Sequence, residues 1–339
     1  MQMRDYIIKR LMLMVLVLFG VSIIAFTTTH IVPSSPEGMW AGPHASKEQL
    51  LAARKELRLD EPLPIQYYAY MKEILHGNLG TSIRTRQSVT SQIARYWTAT
   101  FELVTISFVI AIILGIFLGI VSAIYRNTLI DHIVRVFSLA GVSTPIFWLA
   151  LILQIIFFGV LQLLPLQGRI SSQVLLEHPI QHITGFYLFD SLVTKNWIAF
   201  ASSLKHIILP SLILSYASFA MIIRQTRSSM LETLGEKYIL TAKSYGIPFR
   251  TILFKNTLKN AMITVLTVAG LSYGYDLGGA FLVESIFNWP GLGRYGVESI
   301  LTYDFPAIMG VVFAFSAGFI VVNLLVDILY AYLDPRIRY

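Results

Sequence analysis

Residues 233–260 read TLGEKYILTAKSYGIPFRTILFKNTLKN, a polar and basic island between two long apolar runs. Thr233 and Glu236 have the T-x-x-E spacing of a capping box, in which the threonine caps backbone donors while the glutamate reaches back. The spacing predicts a helix of about three turns ending near Tyr245, because Gly246 suits the left-handed conformation and Pro248 cannot continue the ladder. Ile247 is expected to pack back near Ala242. Tyr238, Ala242 and Tyr245 fall at i, i+4 and i+7, giving a knob, a small-residue gap and a second knob. That is a docking surface, and the plainer alternative is an ordinary connector.

The chain around this island is 55% hydrophobic and only 13% charged, with a mean hydropathy of +0.66. Soluble domains carry about 25% charged residues, so the composition excludes an ordinary soluble fold and predicts an all-α integral membrane protein. The chain has no cysteine, which excludes disulfides and thiolate metal sites. The net charge of +7 does not point to nucleic acid, because the basic residues flank apolar runs, where they set orientation.

Residues 11–32 carry no Lys, Arg, Asp or Glu and follow Arg4, Lys9 and Arg10 of the 1–10 segment. A run of that length spans a bilayer, and no small-x-small cleavage site follows Phe26, so it reads as a retained first span. Residues 33–100 form a polar, proline-containing external insertion with two expected helices, 46–57 and 65–75. The second span is 101–125, where Gly115 and Gly119 have the spacing that lets helices approach closely. The third is 136–162, with a kink expected between Gly141 and Pro145. An external segment, 163–205, follows, and its residues 191–204 are expected to lie on the membrane surface. The remaining spans are 206–224, 261–285 and 304–327, with the island inside 225–260 and a C-terminal segment at 328–339. Lys and Arg concentrate in 1–10, 126–135, 225–260 and 328–339 once the long insertion, which translocates regardless of charge, is set aside. Six transmembrane helices with N- and C-termini cytoplasmic follow, and the island is then cytoplasmic.

The run Tyr238 to Ile247, followed by Asn260-Ala261, resembles the cytoplasmic EAA loop of ABC importer permeases, more narrowly the first permease subunit of the dipeptide/oligopeptide group. The resemblance covers nearly the whole chain: Tyr6-Ile7-Ile8-Lys9-Arg10-Leu11, Leu59-Asp60-Glu61-Pro62-Leu63, Gly77-Asn78-Leu79-Gly80-Thr81-Ser82, His206 to Pro210, Val283 to Phe287 with Pro290-Gly291-Leu292-Gly293, and Leu333-Asp334-Pro335-Arg336. It departs from the group after the first span, where Val32-Pro33-Ser34-Ser35-Pro36 replaces a Gly-Asp-Pro step. The resemblance implies a multi-pass protein of the cell membrane, bound to a second homologous permease subunit, one or two cytoplasmic ATPase subunits and an external solute-binding protein. It implies import of di- or oligopeptides, with oligosaccharide, nickel or glutathione as alternatives within the group. It assigns ATPase coupling to Glu236, Tyr238, Thr241, Ala242, Lys243, Tyr245, Gly246, Ile247 and Pro248. Independently, no G-x-x-x-x-G-K-[ST] phosphate loop occurs, so ATP and Mg are expected to bind partner subunits, this chain carries no cofactor of its own, and it is not an enzyme.

Asp276 is a carboxylate inside an apolar run, beside Tyr273, Gly274, Tyr275, Gly278 and Gly279. Such a residue is expensive in lipid, so Asp276 and Tyr273 are candidates for the translocation pathway, with pairing to a partner subunit as the alternative for Asp276. His178 and His182 have i, i+4 spacing, but Pro179 disfavours a helix there and no metal site is expected. An ion-driven transporter or channel predicts more ionisable residues in the spans than Asp276. A purely structural scaffold predicts partner binding by the island without transport.

Overall fold

The structure is a computed structural model that describes residues 3–31, 36–42 and 44–333. The expected departure after the first span and the closing Asp334-Pro335-Arg336 run lie, wholly or in part, outside the described residues. Regular structure among the described residues is helical, apart from one isolated bridge between Thr81 and Ser88. In chain order the helices are α1 (Met3–Ile31), α2 (Pro36–Ala41), α3 (Lys47–Glu56), α4 (Leu63–Leu75), α5 (Val89–Ile124), α6 (Leu129–Ser143), α7 (Ile146–Gln154), α8 (Ser172–Glu177) and α9 (Tyr187–Val193). They continue with α10 (Trp197–Leu234), α11 (Lys237–Ser244), α12 (Phe249–Thr251), α13 (Lys259–Ile286), α14 (Leu292–Leu301) and α15 (Phe305–Leu333). Wider π-helical turns extend α7 over Ile155–Val160 and join α12 to α13 over Ile252–Leu258.

α10 is the centre of the bundle, packed most extensively on α5 and α13 and also on α6. At 38 residues it is far longer than the expected 206–224 span, about 57 Å at 1.5 Å per residue. Residues 197–204, expected on the membrane surface, are its first turns. Pro210 sits inside it without ending it; beside the proline the Ser211 hydroxyl donates to the carbonyls of Ile207 (2.6 Å) and Ile208 (3.1 Å). Bonding back to these carbonyls satisfies the serine hydroxyl in apolar surroundings. α5 likewise starts earlier than residue 101, running for 36 residues from Val89.

The α5–α10 contact is set by Gly115 and Gly119. A Cβ on Gly115 would sit 2.6 Å from Ile222, and one on Gly119 would sit 2.5 Å from Thr226. Gly119→Leu is therefore expected to destabilise the bundle by about 1–3 kcal/mol through overpacking. Gly20→Leu, where nothing lies within 4 Å, is the control. Thermal unfolding in detergent measures both, and equal shifts would remove the close-approach explanation.

The expected kink in the third span is a sharp break. α6 and α7 meet at 108° across Thr144 and Pro145, with Thr144 in the extended conformation that a following proline favours. Gly141 is not the hinge: a Cβ there would sit 2.8 Å from Ala220, so it is a packing glycine against α10.

Four helices, α1, α5, α10 and α15, are long and apolar enough to cross a membrane, and the bent pair α6–α7 makes a fifth if it counts as one span. α13 has the length, at 28 residues, but its apolar run is diluted by tyrosines, glycines, Asp276 and Glu284. Leu11, Met12, Val15, Leu16 and Phe19 of α1, like Val136, Leu139, Trp148 and Leu151 of the bent pair, are exposed. Apolar surface on that scale belongs in lipid.

Helices also occur in the insertion. α3 opens with a reciprocal box, Gln49 N donating to Ser46 Oγ (3.2 Å) while Ser46 N donates to Gln49 Oε1 (2.8 Å). Asp304, fully buried ahead of α15, accepts from the backbone amides of Ile83 (3.0 Å) and Arg84 (3.1 Å) and from Ser82 Oγ, clamping the insertion to the bundle. α14 was not foreseen. It is held by buried Glu284, which accepts from Thr100 Oγ1 (2.6 Å) and Arg294 N (2.9 Å), while Trp289 Nε1 donates to Ala99 O (2.9 Å). The Val283-to-Gly293 motif is thus a knot tying α14 to α5 and α13.

Candidate functional site

α10 and α13 end and begin together at one end of the bundle, and α11 with α12 forms the hairpin between them. The structure corrects the expected start of this hairpin. α10 continues to Leu234, so the Thr233 hydroxyl is committed to Ser229 O (2.7 Å) and forms no capping box with Glu236. Glu236 is itself the N-cap of α11, extended at φ −67° and ψ 145° and without a side-chain bond. α11 therefore has 8 residues, nearer two turns than three.

Its end is built as the residues predict. Gly246 has φ +72°, Ile247 N donates to Ala242 O (3.1 Å) and Gly246 N to Lys243 O (3.0 Å). These are the two bonds of a Schellman motif, and they turn Ile247 and Pro248 back along the helix. Pro248 then caps α12 and the chain enters the π-helical turn leading into α13.

The expected docking face needs a second correction. Ala242 is only 8% exposed and, with Ile239, packs inward on Ile252 and Leu234. It does not share an open face with the two tyrosines. Tyr238 is half exposed and tethered to the base of α13, its hydroxyl accepting from Asn260 Nδ2 (2.7 Å). Tyr245, outside the helix proper, is 82% exposed. Thr241 bonds back to Lys237 O (3.1 Å) and, like Lys243, is exposed. The outward surface also contains Leu240, Phe249 and Phe254, which the sequence reading did not single out. Two aromatics in an otherwise polar and basic segment were the available signal. Lys237, Lys243, Arg250 and Lys255 of the same segment are exposed as well.

Behind the hairpin lies a buried ion pair that was also missed. Asp131 of α6, fully buried, accepts from Arg227 Nε (2.8 Å) and Nη2 (2.9 Å), from Ser122 Oγ (2.6 Å) and from Asn127 N (2.9 Å). It ties α5, α6 and α10 together two turns before the end of α10.

The two pathway candidates lie on α13 but face different neighbours. The Tyr273 hydroxyl pairs with Thr105 (3.0 Å), its ring is edge-on to Phe108 (4.9 Å), and it lines a cavity of about 840 Å³ between α5, α13 and α15. Asp276 is 5% exposed and turned to α10, where it accepts from Ser218 Oγ (2.5 Å). Its second oxygen has no partner among the described residues. The cavity and Asp276 are not brought together. No group of three or more His, Asp and Glu residues able to hold a metal occurs among the described residues.

Comparison with known proteins agrees with this architecture. Residues 111–339 match a family described as "Binding-protein-dependent transport system inner membrane component", and residues 3–104 match its N-terminal counterpart. The chain is similar to the "Probable D,D-dipeptide transport system permease protein DdpB" of Escherichia coli (strain K12), at 44% identity over 96% of this chain and 94% of that one. It is 42% identical to the "Dipeptide transport system permease protein DppB" of Alkalihalophilus pseudofirmus over 99% and 100% of the two chains. It is 36% identical to the "Glutathione transport system permease protein GsiC" of Salmonella choleraesuis, over 99% and 100%. The chain belongs to the binding-protein-dependent transport system inner membrane component family, as a non-catalytic, multi-pass permease subunit of an ATP-binding-cassette importer.

Proposed function

We propose that this chain forms half of the membrane pathway of a short-peptide importer, with six spans supplied by α1, α5, the bent pair α6–α7, α10, α13 and α15, and both termini in the cytoplasm. The observation that carries the reading is the exposure of four apolar side chains, Leu240, Tyr245, Phe249 and Phe254, on the Schellman-terminated hairpin between α10 and α13. A partner ATPase grips these side chains. When it closes on ATP, α11 moves as a body with α10, and the Asp131–Arg227 pair carries α5 and α6 along. The work comes from the ATPase's different affinity for two arrangements of the bundle. The second permease is a homologous subunit, and an external binding protein delivers the solute.

The peptide class is supported by the relatives: dipeptides and glutathione are all short peptides carrying free carboxylates. Glutathione is accordingly the second reading. The test is purification of the chain in mild detergent, followed by reconstitution with loaded binding protein. Co-purification of a second permease and an ATPase, with ATPase activity stimulated by dialanine, is expected. Their absence would overturn the reading, and stimulation by glutathione alone would select the second.

Tyr273 and Asp276 are proposed to border the pathway. A buried carboxylate oxygen without a partner is costly, and the cost is removed if another state of the α10–α13 contact supplies one. Asp276→Asn is expected to lower the maximal uptake rate about tenfold, the loss of a charge-assisted hydrogen bond, with accumulation in the membrane unchanged. Uptake equal to the parent at all substrate concentrations would remove Asp276 from the pathway.

A further inference from the structure

At the end of the bundle opposite α11, a cavity of about 640 Å³ opens between the start of α5, the segment around α9, and α14. α13 separates the two ends by 28 residues, about 42 Å. The volume lies in the range of small-molecule sites, about 300–1,000 Å³. Its charged lining is Arg95, Arg169, Arg294 and Glu298, with His182 beside them.

These cations are not equivalent. Arg169 is 7% exposed, donates from Nε to Glu102 Oε2 (3.0 Å) and from Nη2 to Gly185 O (2.8 Å), and lies 3.8 Å over the Tyr187 ring. It is a satisfied floor. Buried Asp190 fixes the adjoining wall by accepting from the amides of Ile183, Thr184 and Gly185. Burial works against this carboxylate's charge, but those bonds outweigh it and hold its pKa below the usual range. Glu298 is shared by Arg294 (2.9 Å) and Arg84 (3.1 Å). Two guanidiniums thus draw on one half-buried carboxylate, and Arg95 has no acidic partner among the described residues. The amide at the start of α14 is already taken by Glu284, so the surplus positive charge resides in side chains. A concave site with an excess of one sign focuses its field and gathers counter-ions, and guanidiniums bind carboxylates in a two-point fork.

We propose that this cavity is a receiving site for the free C-terminal carboxylate of a short peptide, held by Arg95 with Arg294, as it leaves the external binding protein. The proposal rests on the peptide-import reading. A concavity of this size fits a dipeptide rather than a flat protein surface. Tyr96, stacked on Tyr295 at 4.9 Å, and Tyr187 supply aromatic walls for the peptide's side chains.

The test uses the reconstituted complex with binding protein loaded and saturating, so that capture by the binding protein does not limit the rate. Uptake of dialanine and of its C-terminal amide is compared in the parent, Arg95→Gln and Arg95→Lys. Arg95→Gln is expected to lower dialanine uptake about tenfold, the loss of a charge-assisted hydrogen bond, and to leave the amide unaffected, with partial recovery in Arg95→Lys. Equal loss for both peptides, or loss of binding-protein docking in a pull-down, overturns the proposal in favour of a protein contact. Unchanged dialanine uptake overturns it outright. A parent complex that transports neither peptide but hydrolyses ATP on another solute overturns the peptide reading instead.

Discussion

Replacing Gly246 by valine is expected to cut transport below a tenth of the parent rate while the protein still inserts, folds and binds its partner permease. Gly246 stands at φ +72°, a region that costs an L-residue about 1–2 kcal/mol and is a genuine outlier for a β-branched one. A Cβ at this position meets nothing within 4 Å in this chain, so the effect on the hairpin itself is conformational. To escape the strain, the turn must give up the bonds from Gly246 N and Ile247 N. Pro248, Phe249 and the π-helical turn then leave α11 in a new direction, and Phe249 and Phe254 are displaced relative to Leu240 and Tyr245. ATPase activity without proportional uptake is the signature of that uncoupling. Gly246→Asp is a gentler change to the turn, because aspartate tolerates the left-handed region better, and it reports instead on charge at the docking surface. If Gly246→Val transports like the parent, the hairpin is only a connector.

Glu102→Ala is expected to destabilise the bundle by about 3–5 kcal/mol, because it leaves the Arg169 guanidinium buried without its counter-charge. Glu102 also accepts from Leu188 N (2.9 Å), so the start of α9 loses its anchor at the same time. The exposed Arg54–Asp60 pair provides the contrast, with side chains 49% and 65% exposed. Arg54→Ala is expected to change stability by less than about 1 kcal/mol. Unfolding midpoints in detergent measure both. The double variant Glu102→Ala/Arg169→Met should recover much of the loss, since it removes the uncompensated charge as well as its partner. A double variant as unstable as Glu102→Ala would mean that the α9 anchor, not the charge, carries the effect.

Much of this protein follows from local rules. The apolar runs, the Schellman end at Gly246, the box at Ser46 and the break at Pro145 are each decided by a few neighbouring residues, because backbone sterics and hydrogen-bond closure act over one helical turn. The capping box at Thr233 failed for a reason the local pattern does not contain. α10 is stabilised by its packing on α5 and α13 and so persists through Leu234, taking the threonine hydroxyl into its own ladder. The docking face failed similarly. Ile239 and Ala242 compete with Tyr238 and Tyr245 for the inward side of α11, and only the position of Ile252 settles that Ala242 goes in.

The amino-acid sequence by itself determined that the chain lives in lipid, that a polar hairpin joins its two central helices, and where that hairpin turns. Only the tertiary structure decided which groups the turn exposes, that Asp131 meets Arg227 and Glu102 meets Arg169, and that Arg84 and Arg294 share the one carboxylate of Glu298 at the opposite end. Periodicity fixes the face a residue occupies on its own helix. The partner it meets is set by helices far away in the chain, through close packing that no local pattern records.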